Sequence, residues 1–115
     1  MLKKENQLKN KYAFNATYKI KNFHHKGGIT LHAGKQKDDD TPVKIGFVVS
    51  KKTHKRAVKR NRLKRLMRES VRLYLKENKD LNKYMSLIFT GHTGALGKNF
   101  DEINKSIKIL IKEIL

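Results

Sequence analysis

Residues 50–76 read SKKTHKRAVKRNRLKRLMRESVRLYLK, and this stretch decides the fold. Twelve of its residues are Lys or Arg, from Lys51 to Lys76, and Glu69 is its only acid. A like-charge block of that density ordinarily stays unfolded. Here Leu63, Leu66, Met67, Val71 and Tyr74 are threaded through it at helical spacing. The pattern predicts a helix over roughly 55–77 that packs one side into a core. At 3.6 residues per turn, Leu63, Leu66, Met67, Ser70, Val71 and Tyr74 share one side. Asn61, Lys64, Arg65, Arg68, Arg72 and Lys76 share the other, with Arg62 and Glu69 near its edge. Arg60 falls beside the apolar arc, where its stem can pack while its head reaches out. Ser50 or Thr53 stands where a helix cap is needed. One Glu cannot balance these cations, and neighbouring like charges cost helix stability. Such a cost without local compensation points to function. Arg outnumbers Lys between 60 and 72, and its planar fork suits phosphates and bases. The face reads as a surface for a polyanion.

Working outward, VKIGFVVS at 43–50 alternates as a strand. Val43, Ile45, Phe47 and Val49 face one side, and Lys44, Gly46, Val48 and Ser50 the other. Gly46 leaves room for a close approach to that second face. Upstream, Gly27-Gly28 marks a turn and GITLHAG a second strand, with Ile29, Leu31 and Ala33 on one face and Thr30 and His32 on the other. KYAFNATYKI at 11–20 sets Phe14 and Tyr18 four apart, so a short helix shows both rings on one side. Residues 1–10 are polar and are expected to fray. Downstream, YMSLIFTG is a third strand and HTGALGK a loop. Asn99 with Glu102 forms the capping pair of a last helix, whose Ile103, Ile107, Leu110, Ile111 and Ile114 make one apolar stripe. The order is α-β-β-α-β-α, with a place for one more strand near Phe23. That is an α+β architecture, a small α/β sandwich in which helices cover a sheet, in one domain over 1–115.

The chain carries 28 Lys and Arg against 10 Asp and Glu, a formal net charge of +18. It repels itself and calls for an anionic partner, nucleic acid before an acidic protein or a membrane. It has no cysteine, which excludes disulfides, thiol catalysis and cysteine-bound zinc. No apolar run reaches the ~18–20 residues of a membrane span, and no secretory signal opens the chain. A soluble intracellular protein is expected.

No catalytic constellation emerges. The five histidines, 24, 25, 32, 54 and 92, make no metal motif, and adjacent His24 and His25 point apart in regular structure. Asp38-Asp39-Asp40 reads as a solvated loop. GHTGALGK fails as a phosphate loop: Gly91 and Gly97 enclose five residues instead of four, and Asn99 stands where Ser or Thr is needed. Phe14, Tyr18 and Phe47 read as core or as platforms for unpaired bases.

The block KIGFVVSKKTHKRAVKRNRLKRLMRES, Lys44 to Ser70, closely resembles the signature of the bacterial ribonuclease P protein family. Its heart is Arg60-Asn61-Arg62, then Lys64-Arg65 and Arg68-Glu69, preceded by IGFVVSKK. The order of elements is similar across nearly the whole chain, and Phe14 and Tyr18 fall where the family has an aromatic pair. The resemblance implies an α/β sandwich with a left-handed βαβ crossover. It implies a subunit of the ribonucleoprotein that removes the 5′ leader of precursor tRNA in the bacterial cytoplasm. The RNA subunit would carry the catalytic centre and its Mg2+, and the protein alone would be inactive. Arg60, Asn61, Arg62, Lys64, Arg65, Arg68 and Arg72 would then lie against the catalytic RNA. Phe14, Tyr18, His32, Lys51 and Lys52 would line a cleft for the single-stranded leader. Phe47 is a weaker cleft candidate, since alternation puts it on the core side. No protein-held metal, membrane or obligate protein partner is implied. Two positions depart from the family pattern: Thr53-His54-Lys55-Arg56 where many members have Gly, and His32 where an aromatic is common.

Overall fold

The computed structural model describes residues 2–38 and 40–115. Its regular elements are α1 (Lys11–Lys19), β1 (Asn22–Lys26), β2 (Ile29–Ala33), β3 (Lys44–Val48), α2 (Ala57–Glu77), β4 (Ser86–Gly91) and α3 (Phe100–Ile114). The four strands form one sheet in the order β1-β2-β4-β3. β1, β2 and β4 pair antiparallel, whereas β3 and β4 are parallel and joined through α2. A parallel pair needs such a crossover, because a tight turn cannot reverse the chain direction twice. The strand near Phe23 is β1, joined to β2 by the two-residue turn Gly27-Gly28. Both glycines have positive φ, 59° and 81°, as this kind of hairpin demands.

The register assigns the two faces of the sheet. Ile29, Leu31, Ala33, Ile45, Leu87 and Phe89 alternate onto one face and are buried with Leu63, Met67 and Val71 of α2 and Ile103, Ile107, Leu110 and Ile111 of α3. Gly91 lets α2 close down on this face: a Cβ there would lie 2.5 Å from Leu63 Cδ2. Ser70 Oγ donates to Asn104 Oδ1 at 2.7 Å between the two helices. Buried Tyr84 donates its hydroxyl to the Ile114 carbonyl at 2.5 Å and pins the end of α3. The capping pair at the start of α3 forms as the spacing predicts, with Asn99 accepting from the Glu102 amide and Glu102 from the Asn99 amide.

On the other face, α1 covers only part of the sheet. Thr17 shares a hydrogen bond with Ser86, and the Phe14 ring lies where a side chain at Gly46 would be, 2.5 Å from the Cβ position. Ile88 is fully buried beneath this helix.

Two local expectations are corrected. The N-terminal residues do not fray from residue 2 onward: Leu2 and Leu8 are buried. Asn6 Nδ2 donates to the Val43 carbonyl at 2.8 Å, and the Leu8 amide to the Ile45 carbonyl at 3.0 Å, which adds a short rung to the β3 edge. The long helix starts at Ala57 with Arg56 as its N-cap, and neither Ser50 nor Thr53 caps it. Instead the Thr53 amide closes a turn on the Ser50 carbonyl. The Arg60 guanidinium folds back onto the carbonyls of His54 and Lys55, at 2.8 and 2.9 Å, fixing the approach to the helix. Asp39, the middle of the acidic triplet, lies outside the described residues.

Candidate nucleic-acid interface

α2 presents its buried and charged sides as the spacing requires. Leu63, Met67, Ser70 and Val71 are buried, and Leu66 and Tyr74 pack half-buried against the core. Asn61, Arg62 and Arg65 are exposed, while Lys64, Arg68 and Arg72 are half-buried. These residues share a helix but not one state. Arg62 is tethered to the loop before α3, donating to the carbonyls of Leu96 and Lys98 at 3.2 and 3.3 Å. Arg68 rests over the Phe47 ring, 5.7 Å from its centre. Arg72 forks onto Glu69, with contacts of 3.0 and 2.6 Å. That hydrogen bond holds the Glu69 carboxyl below its usual range and raises Arg72 in turn. Among the described residues Arg72 is the only Lys or Arg in an ion pair with a carboxylate. Lys64 and Arg65 therefore carry charge that the protein itself does not neutralise.

The second surface is the part of the sheet that α1 leaves open. Tyr18 from α1, His32 from β2 and Phe23 from β1 meet there. The Tyr18 ring stands edge-on to His32 at 4.8 Å, and Phe23 lies 5.6 Å from His32. Phe23 is 58% exposed and Tyr18 39%, large values for rings in contact with a sheet. One rung further on, Thr30 Oγ1 lies 2.9 Å from both His25 Nδ1 and His92 Nε2. Burial holds His32 and His92 below the ordinary imidazole range, with His92 adding to the effect on His32 and His25 to that on His92. Val48 pairs with Thr90, and Thr90 with Thr30, so the loop carrying exposed Lys51 and Lys52 leaves the sheet at the histidine end.

The structure thus brings Tyr18 and His32 together, with Phe14 beside them over Gly46 and the two lysines at the far end. It separates Phe47. That ring lies on the opposite face, stacked on Phe89 at 5.7 Å beneath Arg68. Phe23, His25, Thr30 and His92 complete the cleft and were not among the sequence candidates. The strand around Phe23 was the one signal available for it. His92 follows β4 by a single residue, and only the register places it beside His25.

His24 points away from the cleft, as an alternating strand requires, and its Nδ1 lies 3.2 Å from Glu113 on α3. The open face therefore combines rings with nitrogen donors and cations at its margin. That combination suits stacking of bases and contact with phosphates.

The sequence model of the Ribonuclease P family matches residues 2–115. Two similar curated proteins, each named Ribonuclease P protein component, come from clostridia. The one from Clostridium kluyveri is 46% identical over 70 residues, a match spanning 61% of each chain. The one from Clostridium botulinum strain Loch Maree is 30% identical over 110 residues, covering 96% of this chain and 95% of that protein. In fold the chain is similar to the Staphylococcus aureus RNase P protein, with a TM-score of 0.80 over 96% of both chains at 21% identity. A match that runs through α1, the sheet and α3 as well as the basic helix is more than shared charge, and the chain belongs to the Ribonuclease P family.

Proposed function

We propose that this chain is the protein subunit of a ribonuclease P, an endoribonuclease complex that removes the 5′ leader of precursor tRNA. In this reading α2 lies against the catalytic RNA through Arg60, Asn61, Arg62, Lys64, Arg65, Arg68 and Arg72. Tyr18, His32 and Phe14, with Lys51 and Lys52, hold the single-stranded leader on the open sheet face, and Phe23, His25 and His92 extend that platform. The observation that carries the reading is an ordered helix whose outward cations, Lys64 and Arg65 above all, meet no carboxylate among the described residues. Arg60 and Arg72 contribute less, because each is engaged within its own helix region.

Hydrolysis falls to the RNA, whose Mg2+ supplies an activated water and charge stabilisation. In this reading the ion belongs to the RNA and no residue of this chain is assigned to it. The chain contributes positive charge between two polyanions. That offsets phosphate repulsion, so less Mg2+ is needed to bring substrate and catalytic RNA together. The complex is placed in the bacterial cytoplasm, without a membrane or an obligate protein partner.

The test compares holoenzyme affinity for precursor and mature tRNA. Tyr18→Ala is expected to weaken precursor binding by ~1–3 kcal/mol, the worth of one stacked base, and to leave mature tRNA unaffected. Equal losses on both substrates contradict a leader platform.

Acid should act in opposite directions on the free protein and on its complex. His32 and His92 bind protons less readily folded than unfolded. The unfolded chain takes up more protons below about pH 6.5, so their contribution to stability is lost as pH falls from there through the folded values. A bound leader phosphate favours the charged imidazoles, so leader affinity should rise over the same range. Histidine NMR titrations should give midpoints below ~6.5 for both residues, moving upward when single-stranded RNA is added. Midpoints unmoved by RNA would place the leader elsewhere.

A further inference from the structure

Between the two surfaces lies a third feature, at the outer edge of β3. Among the described residues the N-terminal segment pairs with this strand only at Gln7–Leu8 and Ile45. Gly46 and Val48 stand in register with Ile88 and Thr90, and the Lys44 amide bonds to the Met85 carbonyl, so even-numbered residues turn their backbone groups toward β4. The Ile45 carbonyl turns outward to Leu8. By the same alternation the N–H and C=O of Phe47 point outward, past the end of the N-terminal rung. An open strand edge of this kind is a donor and an acceptor side by side, waiting for a partner.

The cleft at that point has a volume of about 320 Å³. Its lining includes Phe14, Gly46, Phe47, Leu8, Lys9 and Arg68. Among the described residues no Asp or Glu lines it. Both rings are only half-buried, and the Arg68 guanidinium already lies over Phe47. The cleft therefore offers apolar surface, a planar cation and an outward-facing backbone donor and acceptor with no backbone partner among the described residues. An unstacked nucleobase presents the matching chemistry, a π-face and a polar edge. A base held there can stack on the Arg68 guanidinium, whose charge then meets the nucleotide's phosphate.

We propose that the β3 edge is a pocket for one unstacked base of the catalytic RNA, held at the margin of Phe47 and Arg68 and hydrogen-bonded to the Phe47 backbone. The catalytic RNA is the source because Arg68 belongs to α2, the element whose cations face that partner. The inference rests on the RNA-binding reading of α2 and goes beyond it. α2 grips phosphates whatever the sequence, whereas a pocket that reads a base edge sets the register of the assembly.

The experiment uses the whole chain and a bacterial ribonuclease P RNA, with Phe47→Leu as the main variant and Arg65→Ala alongside it. Leu keeps the contact with Phe89 but removes the ring, and a thermal melt confirms that the variant is folded. Phe47→Leu is expected to weaken RNA binding roughly five- to hundredfold without altering the salt slope, because no charge is removed. Short-wavelength ultraviolet irradiation of the wild-type complex should also crosslink the peptide containing Phe47 to a nucleotide of the catalytic RNA. Affinity within twofold of wild type and no such crosslink, with Arg65→Ala still weakened, overturn the pocket and leave the RNA-binding reading standing. Neither variant changing affinity overturns both. A Phe47→Leu loss confined to leader-bearing substrate overturns the assignment to the catalytic RNA.

Discussion

Replacing Lys64, Arg65 and Arg68 together with Ala should weaken binding to a bacterial ribonuclease P RNA by roughly 10²- to 10⁴-fold and leave the fold intact. Each lost charged contact to phosphate contributes ~1–3 kcal/mol, and contacts on one helix do not add fully. The fold should survive because among the described residues Lys64 and Arg65 have no carboxylate partner, and Arg68 contributes its stack on Phe47. Removing like-charge repulsion from α2 should even raise its melting temperature slightly. The salt series is the sharper readout. Three fewer phosphate contacts lower the slope of log affinity against log salt by about 2–3. An unchanged slope means that these cations do not face phosphate, whatever the affinity does.

The opposite side of the same helix gives the second large effect, with the roles reversed. Leu63→Ala should cost about 2–5 kcal/mol of stability and lower the melting temperature by roughly 10–20 °C. Leu63 is fully buried and fills the space that Gly91 leaves on β4, so its truncation opens a void between α2 and the sheet. Under conditions where the variant is folded, its salt slope should match wild type, because the charged side is untouched. A melting temperature lowered by less than about 3 °C would mean that α2 is not anchored through this position. Together the two substitutions ask whether one helix serves as both a structural element and a docking face.

What could be read from residue order was mostly local. The stripe Ile103, Ile107, Leu110, Ile111 and Ile114 and the Asn99–Glu102 cap need only their own helix to make sense, and all five apolar residues are buried. The alternation of β2 and β3 assigned faces correctly, including the core side for Phe47. The N-terminal segment was misread because its signal is not local. Leu2 and Leu8 follow no helical or strand period; Leu2 is buried in the core cluster, and Leu8 is buried where its amide joins the β3 edge. The start of α2 failed for a related reason. Ser50 and Thr53 are good caps in isolation, but Arg60 reaches back from inside the helix to hold the carbonyls that shape its entry.

The two surfaces differ in the same way. The face of α2 is a single stretch of chain, so its cations were visible at once; what the sequence could not show is that Arg68 lies on Phe47 and Arg72 on Glu69. The open sheet face is assembled from α1, β1, β2 and the end of β4. Thr30 and His92 are 62 residues apart and meet only through the β2–β4 register. Phe14 and Tyr18 were legible as a ring pair four residues apart and His32 entered through the family resemblance, whereas Phe23, His25 and His92 had no motif to carry them.

The central claim is that this chain enables an RNA to cut precursor tRNA and does not cut it alone. Cleavage of a precursor at low Mg2+ by a bacterial ribonuclease P RNA, with and without the purified protein, tests it most directly. The account predicts no product from the protein alone, little from the RNA alone, and a large rise with both, at the junction between leader and mature tRNA. Cleavage by the protein without RNA, or an RNA reaction that the protein leaves unchanged, would contradict it.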